Sequence, residues 1–360
     1  MAEPLKNLYT PQLLQNLAQL LHNQYKPFNP KKFMQTVFDA EWPNRELKQR
    51  MRHITHSLHK HLPVSYAQQI EILSPIAHQF TGFVAILFPD FVEVYGLDDP
   101  DISIPALEHF TQYSSSEFAV RPFILKYEKR MVKQHLRWAK HSNHHVRRLA
   151  SEGIRPRLPW AMALPAFKKD PSAILPILEL LKHDDSEYVR RSVANNLNDI
   201  SKDHPKVVLD IVNKWKGLSP ETDRIVKHAS RGLLKQGHTE ALQAFGLNHK
   251  IKTSVSEVSL SKKNIRINDK LEFEFSVTLT EKKAQAVRLE YRIYFMKANG
   301  KPSGKIFQIG TYSLQPNQTI DIKRSHAFAD LTTRKHYPGA HRLAVVVNGS
   351  ETSDCTFTLK

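Results

Sequence analysis

HHVRRLASEGI, residues 144–154, returns 43 residues downstream as EYVRRSVANNL, residues 187–197, without a gap. Val146 aligns with Val189, Arg147 with Arg190, Arg148 with Arg191 and Glu152 with Asn195. Val146, Leu149 and Ala150 have the spacing of an apolar helix stripe, so the repeating unit is helical. Its period lies in the window of HEAT and armadillo helix pairs. IVKHASRGLLKQG, residues 225–237, gives a third copy that keeps Ala229, Ser230 and Gly232 with a one-residue slip. Stacked helix pairs align equivalent positions along an extended surface. Here those positions hold Arg148, Arg191, Glu152 and Asn195, which predicts a basic, polar groove able to embrace a duplex.

Outward from this repeat, residues 1 to about 245 read as helix after helix. TPQLLQNLAQLLHNQ sets Leu13, Leu14, Leu17, Leu20 and Leu21 at helical spacing, with Thr10 as N-cap and Pro11 at the first helical position. NRELKQRMRHITHSLHKHL and PSAILPILELLKH follow the same rule. FTGFVAILFPDFVEVYG, residues 80–96, is the most apolar stretch and reads as a buried helix, because Pro89 and Asp90 break it before membrane-spanning length. After AFGLNHK the period changes to two. LEFEFSVTLT, VRLEYRIYFMKA, FQIGTYSL, QTIDIKRSHAF and HRLAVVVNG alternate and are parted by Asn-Gly and Pro-Asn turns. About seven short strands are expected, in an antiparallel sandwich without the Cys…Trp…Cys pattern of antibody domains. The chain is thus multidomain: an all-α HEAT-like helical repeat solenoid over residues 1–247, then an all-β sandwich over residues 252–360.

Composition narrows the function. With 41% hydrophobic and 24% charged residues the chain reads as globular. Its one cysteine, Cys355, excludes an internal disulfide framework and a cysteine zinc site. The N-terminal residues show no apolar core of a secretory signal, so a cytoplasmic location is expected. The net charge of +17 is uneven. Residues 1–120 carry nine basic against twelve acidic side chains, 121–250 carry 25 against 13, and 251–360 carry 18 against 10. A basic middle and tail point to a polyanionic partner. No P-loop, GxGxxG or GxSxG motif is present, so nucleotide hydrolysis and serine hydrolase chemistry have no signal.

Three carboxylates stand out. Glu117 sits among serines in YSSSEFAVRPF, where it either caps a helix or acts on a ligand. Asp199 in NNLNDISKDHP either faces solvent near a helix end or does the same. Glu152 has Arg148 at i−4 and Arg155 at i+3, so two guanidinium groups can hold it ionised, whether for structure or for chemistry. Trp160 leaves the helix in RPRLPW beside Arg157; it is either packed between repeats or presented to a flat, cationic ligand. His53, His56 and His59 lack any carboxylate-bracketed metal pattern and read as a solvated helix face. In the strand-rich part, KANGKPSGK places Lys297, Lys301 and Lys305 around glycines, either as a plain hairpin tip or as a phosphate contact.

SSSEFAVRPF, HHVRRLASEGIRPRLPW and EYVRRSVANNLNDISKDHP together resemble the bacterial alkylpurine DNA glycosylases built from HEAT-like repeats, the AlkC and AlkD group, on its AlkC side. The all-β tail resembles the immunoglobulin-like extension of one AlkC subset. The resemblance implies a monofunctional glycosylase of base excision repair that removes cationic 3-methyladenine or 3-methylcytosine from double-stranded DNA and leaves an abasic site. It implies damage sensed in bent DNA without an enclosing pocket. No cofactor, metal or membrane partner is expected, and the chain is expected to be a monomer. Glu117, Asp199 and Glu152 become the catalytic candidates. Trp160, Arg148, Arg155, Arg157, Arg191, Asn195, Lys297, Lys301 and Lys305 become candidates for lesion and DNA contact. The competing reading is a HEAT-type nucleic-acid-binding protein without catalysis.

Overall fold

The computed structural model describes residues 4–330 and 335–360, so the first three residues used in the signal-sequence reading lie outside it. By contact the chain divides into two compact units, residues 1–203 with 217–229, and residues 204–216 with 230–360.

The first unit is helical. Its opening helix, Pro11–Gln24, is capped by Thr10, whose hydroxyl accepts the amide of Leu13 at 3.2 Å. Helices Pro100–Thr111, His144–Glu152, Glu187–Ile200 and Pro220–Ala229 pack in succession to form one row. Glu128–Trp138 and Leu175–Leu181 lie behind as a second row. The 43-residue repeat of the sequence is therefore a repeat of helix pairs. Local chemistry sets the frame of each copy. Arg147 donates to the carbonyls of His141 and Ser142 at 3.0 and 2.7 Å, and Arg190 to those of Asp184 and Asp185 at 2.5 and 2.9 Å. The two arginines do the same work one repeat apart, tying each helix to the loop that precedes it.

The helix His144–Glu152 begins at Asn143, whose side chain accepts the amide of His145 at 2.8 Å. It buries Val146, Leu149 and Ala150 completely. Past its end, Gly153 passes so close to the neighbouring helices that a Cβ there would lie 2.7 Å from Val120 Cγ2. One reading of the sequence is corrected here. Residues 80–96 are not a single buried helix: Gly82–Ile86 is a 3₁₀ turn with Phe83 exposed, and the helix proper is Leu87–Tyr95. Gly82, at the start of that turn, takes φ +70°, a value no right-handed helical residue has. No helix among the described residues is long and apolar enough to cross a membrane.

The second unit contains nine strands among the described residues: β1 (Thr253–Val255), β2 (Ser259–Leu260), β3 (Asn264–Ile265), β4 (Lys270–Leu279), β5 (Gln285–Met296), β6 (Pro302–Leu314), β7 (Thr319–Ala327), β8 (Gly339–Val347) and β9 (Ser350–Leu359). In one sheet β4 pairs with β7 and with both short strands β1 and β2; the other runs β3-β9-β8-β5-β6. All pairs are antiparallel except β3 with β9. The two-residue strands β2 and β3 are too short to leave an alternating pattern, which is why about seven were expected. Alternation in β4 sends Leu271, Phe273, Phe275, Val277 and Leu279 into the core. Helices Pro205–Trp215, Arg231–Lys235 and Thr239–Ala244 belong to this unit, with a second core of Leu209, Leu233, Leu234, Ala241, Leu242 and Leu247 against which Ala286 packs. Thus the change of period near residue 247 and the division by contact fall at different places in the chain.

Candidate active site

One turn and two repeat helices of the first unit bring the acids together. Glu117 lies in the turn before the helix Val120–Lys126, whose N-terminus has no side-chain cap. Its carboxylate is turned elsewhere: Oε2 accepts from Ser115 Oγ at 2.8 Å and from Arg148 Nη1. Arg148 also reaches Glu152 at 3.5 Å, and its guanidinium lies 4.9 Å from the centre of the Tyr188 ring. Glu152 accepts from Arg155 Nη1 at 2.5 Å and from Ser192 Oγ at 2.6 Å. Arg155 in turn donates to Asp199 through Nε at 2.8 Å and Nη2 at 2.7 Å, and Lys202 closes the chain on Asp199 Oδ1 at 3.0 Å.

The result is a line of alternating charge, Glu117–Arg148–Glu152–Arg155–Asp199–Lys202. Glu152, Arg155 and Asp199 are buried, and Glu117 is half-buried. Burial pulls the guanidinium of Arg148 down, but Glu152 and Glu117 more than reverse this, and its pKa ends above the ordinary value. Arg155 is raised in the same way, with burial outweighed by Glu152 and Asp199. Both stay cationic, and buried ion pairs of this kind are held by charge-assisted hydrogen bonds.

The line opens into a cleft of about 480 Å³. Glu117, Glu152, Arg148, Arg155, Tyr188 and Trp160 are part of its wall. Trp160 is 62% exposed and has φ +64°. A left-handed backbone is unusual for a bulky residue, costs about 1–3 kcal/mol, and gathers at functional positions. The packing of Trp160 between repeats is thereby excluded. Lys48, seated 4.6 Å from the centre of the Phe118 ring, donates to the Trp160 carbonyl.

The remaining candidates are placed differently. Asp199 is behind Arg155 and outside the cleft wall, so it does not face solvent. Arg157 pairs with Asp203 at 2.6 Å, and Arg191 with Glu187 at 2.9 Å. Asn195 Oδ1 accepts from His228 Nε2 at 3.0 Å. Arg191 lines a second cleft with Arg190, Arg224 and His228, between the helices Glu187–Ile200 and Pro220–Ala229. Lys297, Lys301 and Lys305 are exposed around the β5–β6 turn, where Gly300 has φ +72°. They belong to the second unit. The histidines of Leu47–His61 are not simply solvated: His53 meets the carbonyls of Thr36 and Val37, His56 the hydroxyl of Tyr95, and His59 stacks on Tyr95 at 3.8 Å. No metal-binding group of three His, Cys, Asp or Glu occurs among the described residues.

Sequence reading missed Arg121. It is fully buried, and donates to the carbonyls of Met162 at 2.6 Å, Gly153 at 3.0 Å and Arg155 at 2.9 Å. Burial, reinforced by the nearby Arg155, lowers its pKa to about 10, which leaves it charged at neutral pH. Arg121 therefore pins both ends of the loop that carries Arg155 and Trp160. Its signal was an arginine inside the apolar run FAVRPFIL.

A two-row helical repeat with buried acids at an exposed tryptophan defines a class. The chain belongs to the DNA alkylation repair enzyme family, in its AlkC-type branch with a C-terminal immunoglobulin-like domain. The model described as "DNA alkylation repair enzyme" matches residues 111–240, and that of the C-terminal Ig-like domain of YhaZ matches residues 254–360. The uncharacterized protein YhaZ of Bacillus subtilis (strain 168) is 48% identical over 345 residues, 96% of either chain. Among solved structures, Pseudomonas fluorescens alkylpurine DNA glycosylase AlkC, bound to DNA containing an abasic site analog, is 37% identical. It superposes with a TM-score of 0.95 over 99% of this chain and 100% of its own.

Proposed function

We propose that the chain is a monofunctional DNA glycosylase of base excision repair, acting as a monomer on duplex DNA. Its substrates are cationic N3-alkylated bases, 3-methyladenine and 3-methylcytosine. The observation that carries this reading is the convergence of Glu117 and Glu152 with an exposed, strained Trp160 on one open cleft. The cleft has space for a base but does not enclose it, which supports excision without a flipped-out pocket.

The chemistry follows from charge. In an N3-alkylated base the ring is already cationic, so when the C1′–N bond breaks, the bonding pair leaves with the base and neutralises it. The sugar becomes oxocarbenium-like, and a fixed carboxylate stabilises it more than it stabilises the ground state. Water then adds to C1′ and yields its proton to a carboxylate. Glu117 is assigned this place: its bonds to Ser115 and Arg148 both fall on Oε2, so Oε1 is the oxygen that holds the water. Glu152 supplies the second negative charge, and Asp199 acts through Arg155, which it orients. The indole of Trp160 stacks on the cationic base. The basic cleft of Arg190, Arg191 and Arg224, together with the Lys297–Lys305 hairpin, provides phosphate contacts. In domain terms, residues 1–247 carry the catalysis and residues 252–360 the added DNA contact.

The test is release of free base from methylated duplex DNA. Wild type should liberate 3-methyladenine and leave the strand unbroken, and Glu117→Gln should slow release at least 100-fold, about 3 kcal/mol of transition-state stabilisation. A wild-type protein that binds DNA in a salt-dependent way but releases no base would establish the non-catalytic reading instead.

A further inference from the structure

Phe83 is exposed at the cleft alongside Trp160 and Tyr188, and nothing in the glycosylase chemistry above uses it. It is 44% exposed, in a chain whose other phenylalanines in this region, Phe80, Phe88 and Phe91, are buried. It lines the same cleft as Glu117 and Trp160. A single exposed phenylalanine is unremarkable on a mobile loop, but this one is on a built support. Gly82 takes φ +70° although a Cβ there would meet nothing within 4 Å, so the glycine serves backbone direction and not space. Both polar groups of that glycine are held: its amide donates to the Tyr113 carbonyl at 3.3 Å, and its carbonyl accepts from Ser114 Oγ at 2.6 Å. Ser114 immediately precedes Ser115, the residue that holds Glu117. The turn that aims Phe83 and the loop that aims the carboxylate are therefore one hydrogen-bonded assembly.

A rigidly presented apolar ring beside a carboxylate has one DNA component that suits it: the π-face of a base. Apolar side chains entering a base step unstack it and kink the duplex. In a site that does not enclose its base, opening a step in this way would bring the damaged base and its sugar towards the carboxylate.

We propose that Phe83 is a wedge that enters the base stack at the damaged nucleotide and holds the step open while Trp160 reads the alkylated base. This rests on the glycosylase reading of the same cleft. It makes Phe83 a positioning residue, contributing to damaged DNA and not to the duplex backbone.

The test compares Phe83→Ala, Phe83→Leu and Phe83→Trp with wild type on two duplexes of equal sequence, one intact and one with an abasic analogue. Base stacking is worth about 1–3 kcal/mol per base on alanine substitution, which is a factor of roughly 5 to 150. Phe83→Ala should lose that factor on abasic DNA, keep wild-type affinity for intact DNA, and release 3-methyladenine more slowly. Phe83→Trp should keep both, and Phe83→Leu should fall between. Thermal melting close to wild type shows that the exposed side chain was not needed to fold. Equal affinity of Phe83→Ala and wild type for abasic DNA overturns the proposal, as does an equal loss on both duplexes. In either case, base release by wild type leaves the glycosylase reading intact. Absence of base release by wild type overturns that reading and the wedge with it.

Discussion

Trp160 should respond to glycine and alanine in the reverse of the usual order. Its φ is +64°, where the Cβ of an L residue crowds the following carbonyl at a cost of about 1–2 kcal/mol. Glycine has no such cost, but its looser unfolded chain loses about 0.5–1 kcal/mol relative to alanine. Trp160→Gly and Trp160→Ala remove the same indole, so its packing cancels in their difference. What remains favours glycine by about 0.5–1 kcal/mol. In a unit of this size that corresponds to a melting temperature about 1–4 °C higher for the glycine variant, measurable by calorimetry or circular dichroism. In the base-release assay the two variants should fall together, because both lack the ring. A Trp160→Ala protein as stable as Trp160→Gly would refute the strained backbone as the means by which the indole is presented. Wild-type rates from either variant would refute the role of the indole itself.

Glu152→Gln should destabilise the first unit by about 3 kcal/mol, the lower end for breaking a buried ion pair, because Ser192 can still donate to the amide oxygen while Arg148 and Arg155 lose a counter-charge; denaturant melts give the value. His135 is fully buried, and burial pushes its pKa down from 6.5 to about 4. It is neutral in the fold and takes its proton on unfolding, so stability falls as the pH drops from about 6.5 and the loss is complete near 4, reaching about 3 kcal/mol. Thermal melts between pH 4 and 7 should show that slope in wild type, and a His135→Leu variant should lack that part of it. In the second unit, Gly349 has φ +84°, and a Cβ there would lie 2.5 Å from Gly237 Cα. Gly349→Ala should therefore lower the melting temperature of that unit, with a cost of roughly 1–3 kcal/mol for the strained backbone alone; an unchanged melt would refute both the strain and the close approach of the two turns.

Periodicity was legible because it is a local property. A helix that packs on one side repeats every 3.6 residues and a strand every two, whatever their partners. Hence the helical repeat, the late change to strands and the cap at Thr10 could all be read from the chain alone. Phe83 and its neighbours show the limit: an apolar run says that something is buried, but a glycine at positive φ can turn one side chain of that run outward. Composition likewise marked the basic centre and tail, yet could not tell Arg147 from Arg148. The first is tied to loop carbonyls and Asp184, and the second to Glu117 and Glu152, a difference of partners that sequence neighbours do not encode.

By itself, then, the sequence determined a two-part chain, a helical repeat of 43 residues, and the short set of acids, arginines and one tryptophan from which a site could be drawn. Only the tertiary structure decided how those groups are used. It ordered them into a line of alternating charge across loops up to 85 residues apart, from Glu117 to Lys202. It placed Asp199 behind Arg155, exposed Trp160, and brought in Arg121 and Phe83. The physical reason is range: backbone propensity and side-chain period act over a few residues, whereas a buried carboxylate takes its partners from whatever the packing of distant repeats sets beside it.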